Sequence, residues 1–354
     1  MATMNNRERM FAFIRGLEHD RVPFAQYDFM TPNEMVWQLI GRSNIGLMKW
    51  VLPYRFVNSS CSFSQEDFTH EGLRGIRTFL HTPVGMLTEE KLLEPVFNSA
   101  ATHKHFVCER KDYEALLVYL KDITVVEDAA AFDSVVKELG DDGLPHATVM
   151  RTPYQQMWVQ WVSIERLCCD MIDYADIVEE CMSLMGAIQL RASMISATLP
   201  LPYVVIGDNI TAPMIGEQIF RKWCLPYYNK IADIFGAHDI PVVVHMDGDL
   251  KPLWSAISET KIAGFDSFSP PPDNDTSVAD AIRLWPDKKI MLNFPSSVHL
   301  ESGEEIYSHA VEIIRQAAGT RRLQIQISEN IPPDVWRKSY PQIVRAIHEC
   351  GVYN

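Results

Sequence analysis

Several common sequence signals are missing from this chain of 354 residues, and each absence excludes a class of protein. No glycine-rich phosphate-binding pattern, neither G-x-G-x-x-G nor Walker A, follows a predicted strand, which argues against nicotinamide and nucleoside triphosphate chemistry. No run of about 18 apolar residues occurs, and the beginning, MATMNNRERMFAFIRG, lacks the apolar core of a secretory signal. We therefore expect a cytoplasmic protein with no membrane partner.

Positive charge and paired cysteines are also scarce. Lys and Arg number 32 against 46 Asp and Glu, and the formal net charge of −14 argues against nucleic acid as a partner. The seven cysteines are scattered and form no C-x-x-C pair, which predicts free thiols, mostly in the core. Cys168 and Cys169 lie in an apolar helical segment, and we expect them to pack inside rather than to bind a metal.

What the chain does contain is a regular alternation of short apolar strands with helical segments. A helix pattern covers residues 5–16, and β-like pieces in residues 72–93 suggest a hairpin excursion around the sequence TPVG at 82–85. Eight strands are predicted near residues 24, 63, 148, 205, 243, 266, 291 and 325. This pattern favours an α/β fold over residues 1–354, a single (β/α)8 TIM barrel with an N-terminal helical segment and the hairpin, over a doubly wound sheet.

The most informative stretch is IPVVVHMDGD at residues 240–249, where a buried strand ends in polar side chains. Ligands bind at the carboxyl ends of the strands in α/β barrels. His245 and Asp247 are two positions apart, so they point the same way if the backbone stays extended. The alternative is that they cap the helix that follows.

Other polar or aromatic side chains follow the predicted strands. Tyr27 and Asp28 follow the first strand, Asp208 and Asn209 the strand near 205, and Ser269 and Asn293 the strands near 266 and 291. Asp208 either acts as a proton donor or partner of His245, or caps the next helix. The aromatic side chains near the strand ends either line an aromatic-binding pocket or belong to the core: Tyr27, Phe29, Tyr154, Trp158, Phe268 and Phe294. We expect His299 at the surface.

Five segments together resemble the uroporphyrinogen decarboxylase superfamily: TPVG at 82–85, GDN at 207–209, Phe220, LPY at 225–227 and IPVVVH at 240–245. Their order and spacing match along nearly the whole chain. The resemblance implies a (β/α)8 barrel whose site lies at the carboxyl ends of the strands. It also implies one of two activities, since the superfamily contains decarboxylases and zinc-dependent methyltransferases that exchange methyl groups with a corrinoid protein.

The resemblance separates these two branches at two places. The decarboxylases have an arginine-rich segment after the first strand, whereas residues 26–33 here read QYDFMTPN. The methyltransferases bind zinc through His-x-Cys and a second Cys after the last strand. In this chain His245 is kept, Asp247 stands at the first Cys position and Glu329 at the second. We interpret this as an altered zinc site, since both replacements still bind zinc; the alternative is a metal-free hydrogen-bonded cluster.

Zinc is a harder Lewis acid with oxygen ligands than with thiolate ligands. A harder zinc ion stabilises an oxygen leaving group better. The sequence therefore predicts the methyltransferase component of an O-demethylase, with zinc as cofactor and a corrinoid-binding protein as partner. Its methyl donor would be a small methoxylated compound, and an aryl methyl ether and a simple methyl ether both stay open. The predicted roles are catalysis for Asp208 and Tyr27, and substrate binding for Asp28, Asn209, Ser269 and Asn293. Two alternative functions stay open, a metal-independent decarboxylase or lyase and a non-enzymatic docking subunit. A homodimer also stays open.

Overall fold

The computed structural model describes residues 4–96 and 99–353. In chain order its strands are β1 (Phe24–Tyr27), β2 (Gly46–Val51), β3 (Tyr54–Val57), β4 (Ser62–His70), β5 (Leu73–Thr82), β6 (Gly85–Glu94), β7 (Ser99–Lys104), β8 (Thr124–Glu127), β9 (Gly143–Val149), β10 (Val204–Ile206), β11 (Val242–His245), β12 (Gly264–Phe268), β13 (Lys289–Asn293) and β14 (Leu323–Ile327).

Helices follow most of these strands. In chain order the α-helices are α1 (Asn6–Arg15), α2 (Asn33–Ile40), α3 (Asp112–Asp122), α4 (Ala129–Leu139), α5 (Pro153–Gln156), α6 (Ile164–Asp173), α7 (Ala175–Ser196), α8 (Ala212–Ile219), α9 (Leu225–Gly236), α10 (Trp254–Ser258), α11 (Val278–Leu284), α12 (Gly303–Gln316) and α13 (Trp336–Cys350). Helix α1 begins with a capping box, in which Asn5 and Glu8 each accept from the other's backbone N–H.

Eight parallel strands close into a barrel in the order β1-β14-β13-β12-β11-β10-β9-β2. The register is continuous around the ring, with β1 pairing to β14 on one side and to β2 on the other. Surrounding helices complete an α/β barrel. The fold class predicted from the sequence is therefore confirmed.

The chain divides into two compact units. The first holds the barrel and comprises residues 1–53, 128–149 and 196–354. The second comprises residues 54–127 and 150–195, and contains the antiparallel pair β3-β8 and the antiparallel sheet β4-β5-β6-β7. Strands β5 and β6 form the predicted hairpin, joined at residues 83 and 84. The interpretation of residues 1–354 as one domain stays a prediction.

Within the barrel unit, helix α1 packs against the interior of the barrel. Its apolar face, Met10, Phe13 and Ile14, forms one buried cluster with interior strand residues, among them Met48 and Val243. The contact is close at the start of β2, where a Cβ added to Gly46 would lie 2.4 Å from Sδ of Met10. The part of the interior next to α1 is thus a packed apolar core.

One predicted barrel strand was wrong. The strand expected near residue 63 is β4, which belongs to the sheet of the second unit, and the barrel uses β2 instead. Strand β2 reads GLMKWV, and its Lys49 and Trp50 are only partly buried. A strand with a charged and an exposed aromatic residue in its second half does not show the apolar run expected of a buried parallel strand.

The cysteine prediction held only in part. All seven cysteines are free, but only Cys61, Cys181 and Cys224 are buried. Cys168 and Cys169 are exposed, contrary to expectation, because helix α6 turns Leu167 and Asp170 inward instead. Among the described residues, no helix is both long and apolar enough to span a membrane.

Candidate metal centre

Three side chains singled out from the sequence converge at the carboxyl end of the barrel strands. Nε2 of His245 lies 3.2 Å from Oε1 of Glu329 and 3.5 Å from Oδ2 of Asp247. One ligand atom from each residue lies within 4.8 Å of the others. No other group of three or more such side chains occurs in residues 4–96 and 99–353.

The strands and their loops explain this convergence. Val243 belongs to the interior core, so His245, two residues later on β11, faces the same interior. Asp247 is held by Asn209, whose Nδ2 donates to its Oδ2 at 3.1 Å. Oδ1 of Asn293, at the end of β13, accepts from the backbone N–H of Glu329 at 3.2 Å. Neighbouring strand ends thus orient His245 and Asp247 and hold the backbone of Glu329.

A fourth carboxylate, that of Asp266 on β12, lies beneath the cluster. It is fully buried, and its Oδ2 lies 2.9 Å from Nδ1 of His245. Its Oδ2 also accepts from the Tyr27 hydroxyl at 2.9 Å, and its Oδ1 accepts from Nε2 of Gln326 at 3.0 Å. With Nδ1 bound to Asp266, the Nε2 side of the imidazole faces Asp247 and Glu329.

The protonation of the cluster follows from these contacts. Burial acts to lower the pKa of His245, but the carboxylates of Asp247, Asp266 and Glu329 raise it well above its usual value. Burial acts to raise the pKa of Asp266, but His146, His245 and Gln326 lower it far below its usual value. Three carboxyl groups around one imidazole leave an excess of negative charge.

The same network extends to two further rings. Nε2 of His146 lies 3.8 Å from Oδ2 of Asp266, and its Nδ1 lies 3.1 Å from the hydroxyl of Tyr203. Burial lowers the pKa of His146 to about 4, so this imidazole is neutral at pH 7. Burial and the charge of Asp266 raise the pKa of Tyr27 well above its usual value, so its hydroxyl keeps its proton.

The other predicted polar residues have local partners. Asp208 is fully buried and accepts from the Tyr228 hydroxyl at 2.5 Å, whereas the carboxylate at Nδ1 of His245 is that of Asp266. Asp28 lies 3.2 Å from Nζ of Lys49. The Ser269 hydroxyl donates to the carbonyl of Ser267 at 3.1 Å. The catalytic and substrate-binding roles assigned to these residues stay predictions.

The predicted aromatic residues divide into exposed and buried sets. Phe29 is 63% exposed, whereas Phe268 and Phe294 are fully buried and belong to the core. Tyr154 and Trp158 lie in the second unit, where Tyr154 is buried and Nε1 of Trp158 donates to Gln155.

His299 is fully buried, so its predicted surface position was wrong. Its Nδ1 lies 2.7 Å from Oγ of Ser339 on α13. The short turn of residues 297–300 packs against that helix, which the sequence pattern beyond a strand end did not indicate.

Asp266, His146 and Gln326 were missed by the sequence reasoning. Each lies inside a barrel strand, whereas the candidate residues predicted from the sequence come from the ends of the predicted strands. The sequence did contain a signal for Asp266. The strand GFDSF carries a carboxylate, and a carboxylate is costly to bury unless it has polar partners. A charged residue in such a strand indicates a polar network inside the barrel.

The donor set fits a zinc ion on its chemistry. One imidazole nitrogen and two carboxylate oxygens are donor types that zinc takes, and three protein ligands is the number found in catalytic zinc sites. Oε1 of Glu329 is buried and lies 3.2 Å from Nε2 of His245, but within the described part of the chain no donor is aligned to give it a hydrogen bond. A divalent cation would satisfy this oxygen and balance the excess negative charge.

Comparisons with known proteins identify the family. A search of the curated proteins finds no match. Among solved structures, the chain is similar to one titled L-Ala-D/L-Glu epimerase, at 10% identity over 83% of this chain and 91% of that one. The TM-score of 0.24 is too low to carry an argument. The family model described as uroporphyrinogen decarboxylase (URO-D) matches residues 103–350, more than half of the chain. The chain therefore belongs to the uroporphyrinogen decarboxylase family, whose members are enzymes.

Proposed function

We propose that this enzyme is a zinc-dependent methyltransferase. It takes a methyl group from a small methoxylated compound and passes it to the corrinoid of a partner protein, as the methyltransferase component of an O-demethylase. The observation that carries the proposal is the convergence of His245, Asp247 and Glu329 on one point, with Nδ1 of His245 held by Asp266.

The charges at the strand ends weigh against the decarboxylase alternative. A porphyrinogen carries many carboxylates, which require cationic partners. Residues 26–33 contain no Lys or Arg, and Lys49 is already within 3.2 Å of Asp28 and bonded to Glu138. Asp247, Asp266 and Glu329 add further negative charge at the same end of the barrel. A polycarboxylate would be repelled there.

When bound, zinc would supply a Lewis acid that withdraws charge from the ether oxygen of the donor, and nitrogen and oxygen ligands suit this better than thiolates. The protein's own residues prepare the site. Asp266 fixes the His245 ring so that Nε2 faces the ligand set, and Asn209 and Asn293 fix Asp247 and the backbone of Glu329. These contacts limit the rearrangement needed when the substrate binds.

In the proposed reaction the bond between methyl carbon and oxygen breaks. The methyl group goes to the reduced corrinoid, whose electron pair forms the new bond, and the oxygen keeps the pair of the broken bond. The oxygen later takes up a proton. Tyr27 holds a proton at its hydroxyl beside Asp266, and Asp208 is the other acid that we propose for this role.

The test is methylation of cobalamin, followed by its absorbance change. Zinc-loaded protein is mixed with reduced corrinoid partner and with 2-methoxyphenol, a simple methyl ether or a methylated thiol. We expect the oxygen donors to react far faster than the thiol. Asp247→Cys should keep zinc but slow ether cleavage, because a thiolate ligand lowers Lewis acidity.

Equal rates on oxygen and sulfur donors would contradict the proposed leaving group, as would undiminished ether cleavage by Asp247→Cys. Absence of methyl transfer from every donor, together with absence of bound zinc, would favour the metal-independent decarboxylase or the non-enzymatic docking subunit.

A further inference from the structure

Two large aromatic side chains are exposed at the carboxyl ends of neighbouring barrel strands. Trp50 on β2 is 51% exposed, and Phe29, just after β1, is 63% exposed. Met48, two residues before Trp50, belongs to the interior core, so Trp50 faces the interior side at the end of its strand. Exposed aromatic surface is unfavourable in water, and two such rings side by side indicate a binding surface.

Both rings are held in fixed orientations by the residues behind them. The Trp50 ring stacks on His146, with centroids 5.8 Å apart and an interplanar angle of 14°. The Phe29 ring stacks on Tyr27 at 5.7 Å and 29°. Trp50 and Phe29 meet edge to face at 6.2 Å and 85°. We call Phe29 and Trp50, with Tyr27 and His146 behind them, the aromatic wall.

The aromatic wall is connected directly to the candidate metal centre. Tyr27 and His146 both contact Oδ2 of Asp266, at 2.9 and 3.8 Å, and the same oxygen lies 2.9 Å from Nδ1 of His245. One carboxylate therefore separates the wall from the ligand set. Trp50 is thus connected to His245 through His146 and Asp266.

The chemistry of the wall indicates the kind of substrate. One face of each exposed ring is covered by its partner, so the other face is open for a third ring to stack against in an offset arrangement. Rings also attract quaternary ammonium groups. However, the methyl donor of the proposed function is a neutral ether, so a neutral aromatic ring is the ligand that agrees with it.

We propose that the aromatic wall binds the ring of an aryl methyl ether by stacking, and that Trp50 and Phe29 thereby determine specificity for aromatic over aliphatic methyl donors. This inference rests on the proposed function and narrows its substrate class. It assigns a role to Trp50 and none to Phe268 and Phe294, which are fully buried.

The experiment measures binding and turnover separately. Calorimetry gives the Kd of 2-methoxyphenol for the zinc-loaded full chain, without corrinoid, in the wild type, Trp50→Leu, Phe29→Leu and Trp50→Phe. Matched controls are Trp37→Leu and Phe11→Leu, which remove rings on α2 and α1 outside the wall. Tetramethylammonium is the cationic probe. KM is then compared for 2-methoxyphenol and methanol with the corrinoid partner.

We expect Trp50→Leu and Phe29→Leu to weaken 2-methoxyphenol binding by about tenfold or more, from the loss of ring stacking and apolar contact. Trp50→Phe should recover part of this affinity, and both controls should match the wild type. KM for methanol should not change, since methanol has no ring.

Two results would overturn the inference: unchanged binding of 2-methoxyphenol in folded Trp50→Leu and Phe29→Leu, or Trp50-dependent binding of tetramethylammonium tighter than that of 2-methoxyphenol. The two proposals fail differently. If the enzyme transfers methyl groups from aryl ethers but KM and Kd do not change in Trp50→Leu, the proposed function stands and the role of the aromatic wall is contradicted. If Trp50→Leu weakens binding but no methyl group is transferred, the role of the aromatic wall stands and the proposed function is contradicted.

Discussion

Oδ2 of Asp266 lies 2.9 Å from Nδ1 of His245, and both side chains are buried in the barrel interior. Because this contact fixes a proton on the Nδ1 side, a neutral His245 presents an unprotonated Nε2 toward Asp247 and Glu329. A carboxylate bonded to the far nitrogen of a ligating histidine is a common arrangement in zinc enzymes. The pair therefore connects the barrel core to the candidate metal centre.

The first prediction concerns this pair. Asp266→Asn should weaken zinc binding about 10- to 100-fold, because it removes the charged partner that orients His245. Zinc affinity is measured by competition with a chelating dye. The control is Asp233→Asn, which alters an exposed carboxylate paired with Lys261. Unchanged zinc affinity in a folded Asp266→Asn protein would show that Asp266 has no part in the site.

The second prediction concerns Glu329. Glu329→Ala should remove an anionic ligand and weaken zinc binding strongly, while the fold survives, because Glu329 lies after the end of β14 and outside the core. Glu312→Ala, on exposed helix surface, removes the same charge elsewhere. Metal content and thermal unfolding are measured together. Loss of cooperative unfolding with metal content unchanged would mark Glu329 as structural.

The sequence predicted the barrel well because buried parallel strands have a strong apolar signal, as in VVVH at 242–245. It also predicted His245, Asp247 and Glu329, because their positions matched a family pattern at strand ends. It failed at β2, because Lys49 and Trp50 interrupt the apolar pattern of that strand, and at Asp266, whose partners come from four other strands. Contacts across a closed barrel depend on register, which no local pattern reveals.

The third prediction concerns the buried pair of Tyr228 and Asp208. Tyr228→Phe should lower the free energy of unfolding by about 1–3 kcal/mol, since it removes the hydroxyl that donates to a fully buried carboxylate at 2.5 Å. The neighbouring Tyr227→Phe, at a half-buried position, is the control. Urea unfolding measures both. Equal stability of the two variants would mean that this hydrogen bond contributes nothing.

The fourth prediction concerns pH and His299. Burial lowers the pKa of His299 to about 3 in the folded protein, below its ordinary value of 6.5. The stabilising effect of the neutral ring is therefore complete above pH 6.5 and is lost progressively as pH falls toward 3. When the pH falls from 7 to 5, protonation of His299 in the unfolded chain should lower the free energy of unfolding by about 2 kcal/mol.

His299→Phe, which cannot take up a proton, should remove this part of the pH dependence. The measurement is urea unfolding at pH 7, 6 and 5 for both proteins, with His309→Phe, at a partly exposed position, as control. If the stability of His299→Phe falls with pH as steeply as that of the wild type, His299 is not the group responsible.

The most direct test of the metal centre is X-ray absorption at the zinc edge, on protein that binds zinc at a measured stoichiometry. We predict one zinc per chain, with nitrogen and oxygen ligands at about 2.0–2.2 Å, an imidazole contribution from His245 and no sulfur neighbour. In His245→Ala the stoichiometric zinc should be lost. Failure to bind stoichiometric zinc, or a sulfur neighbour near 2.3 Å, would contradict a site built from His245, Asp247 and Glu329.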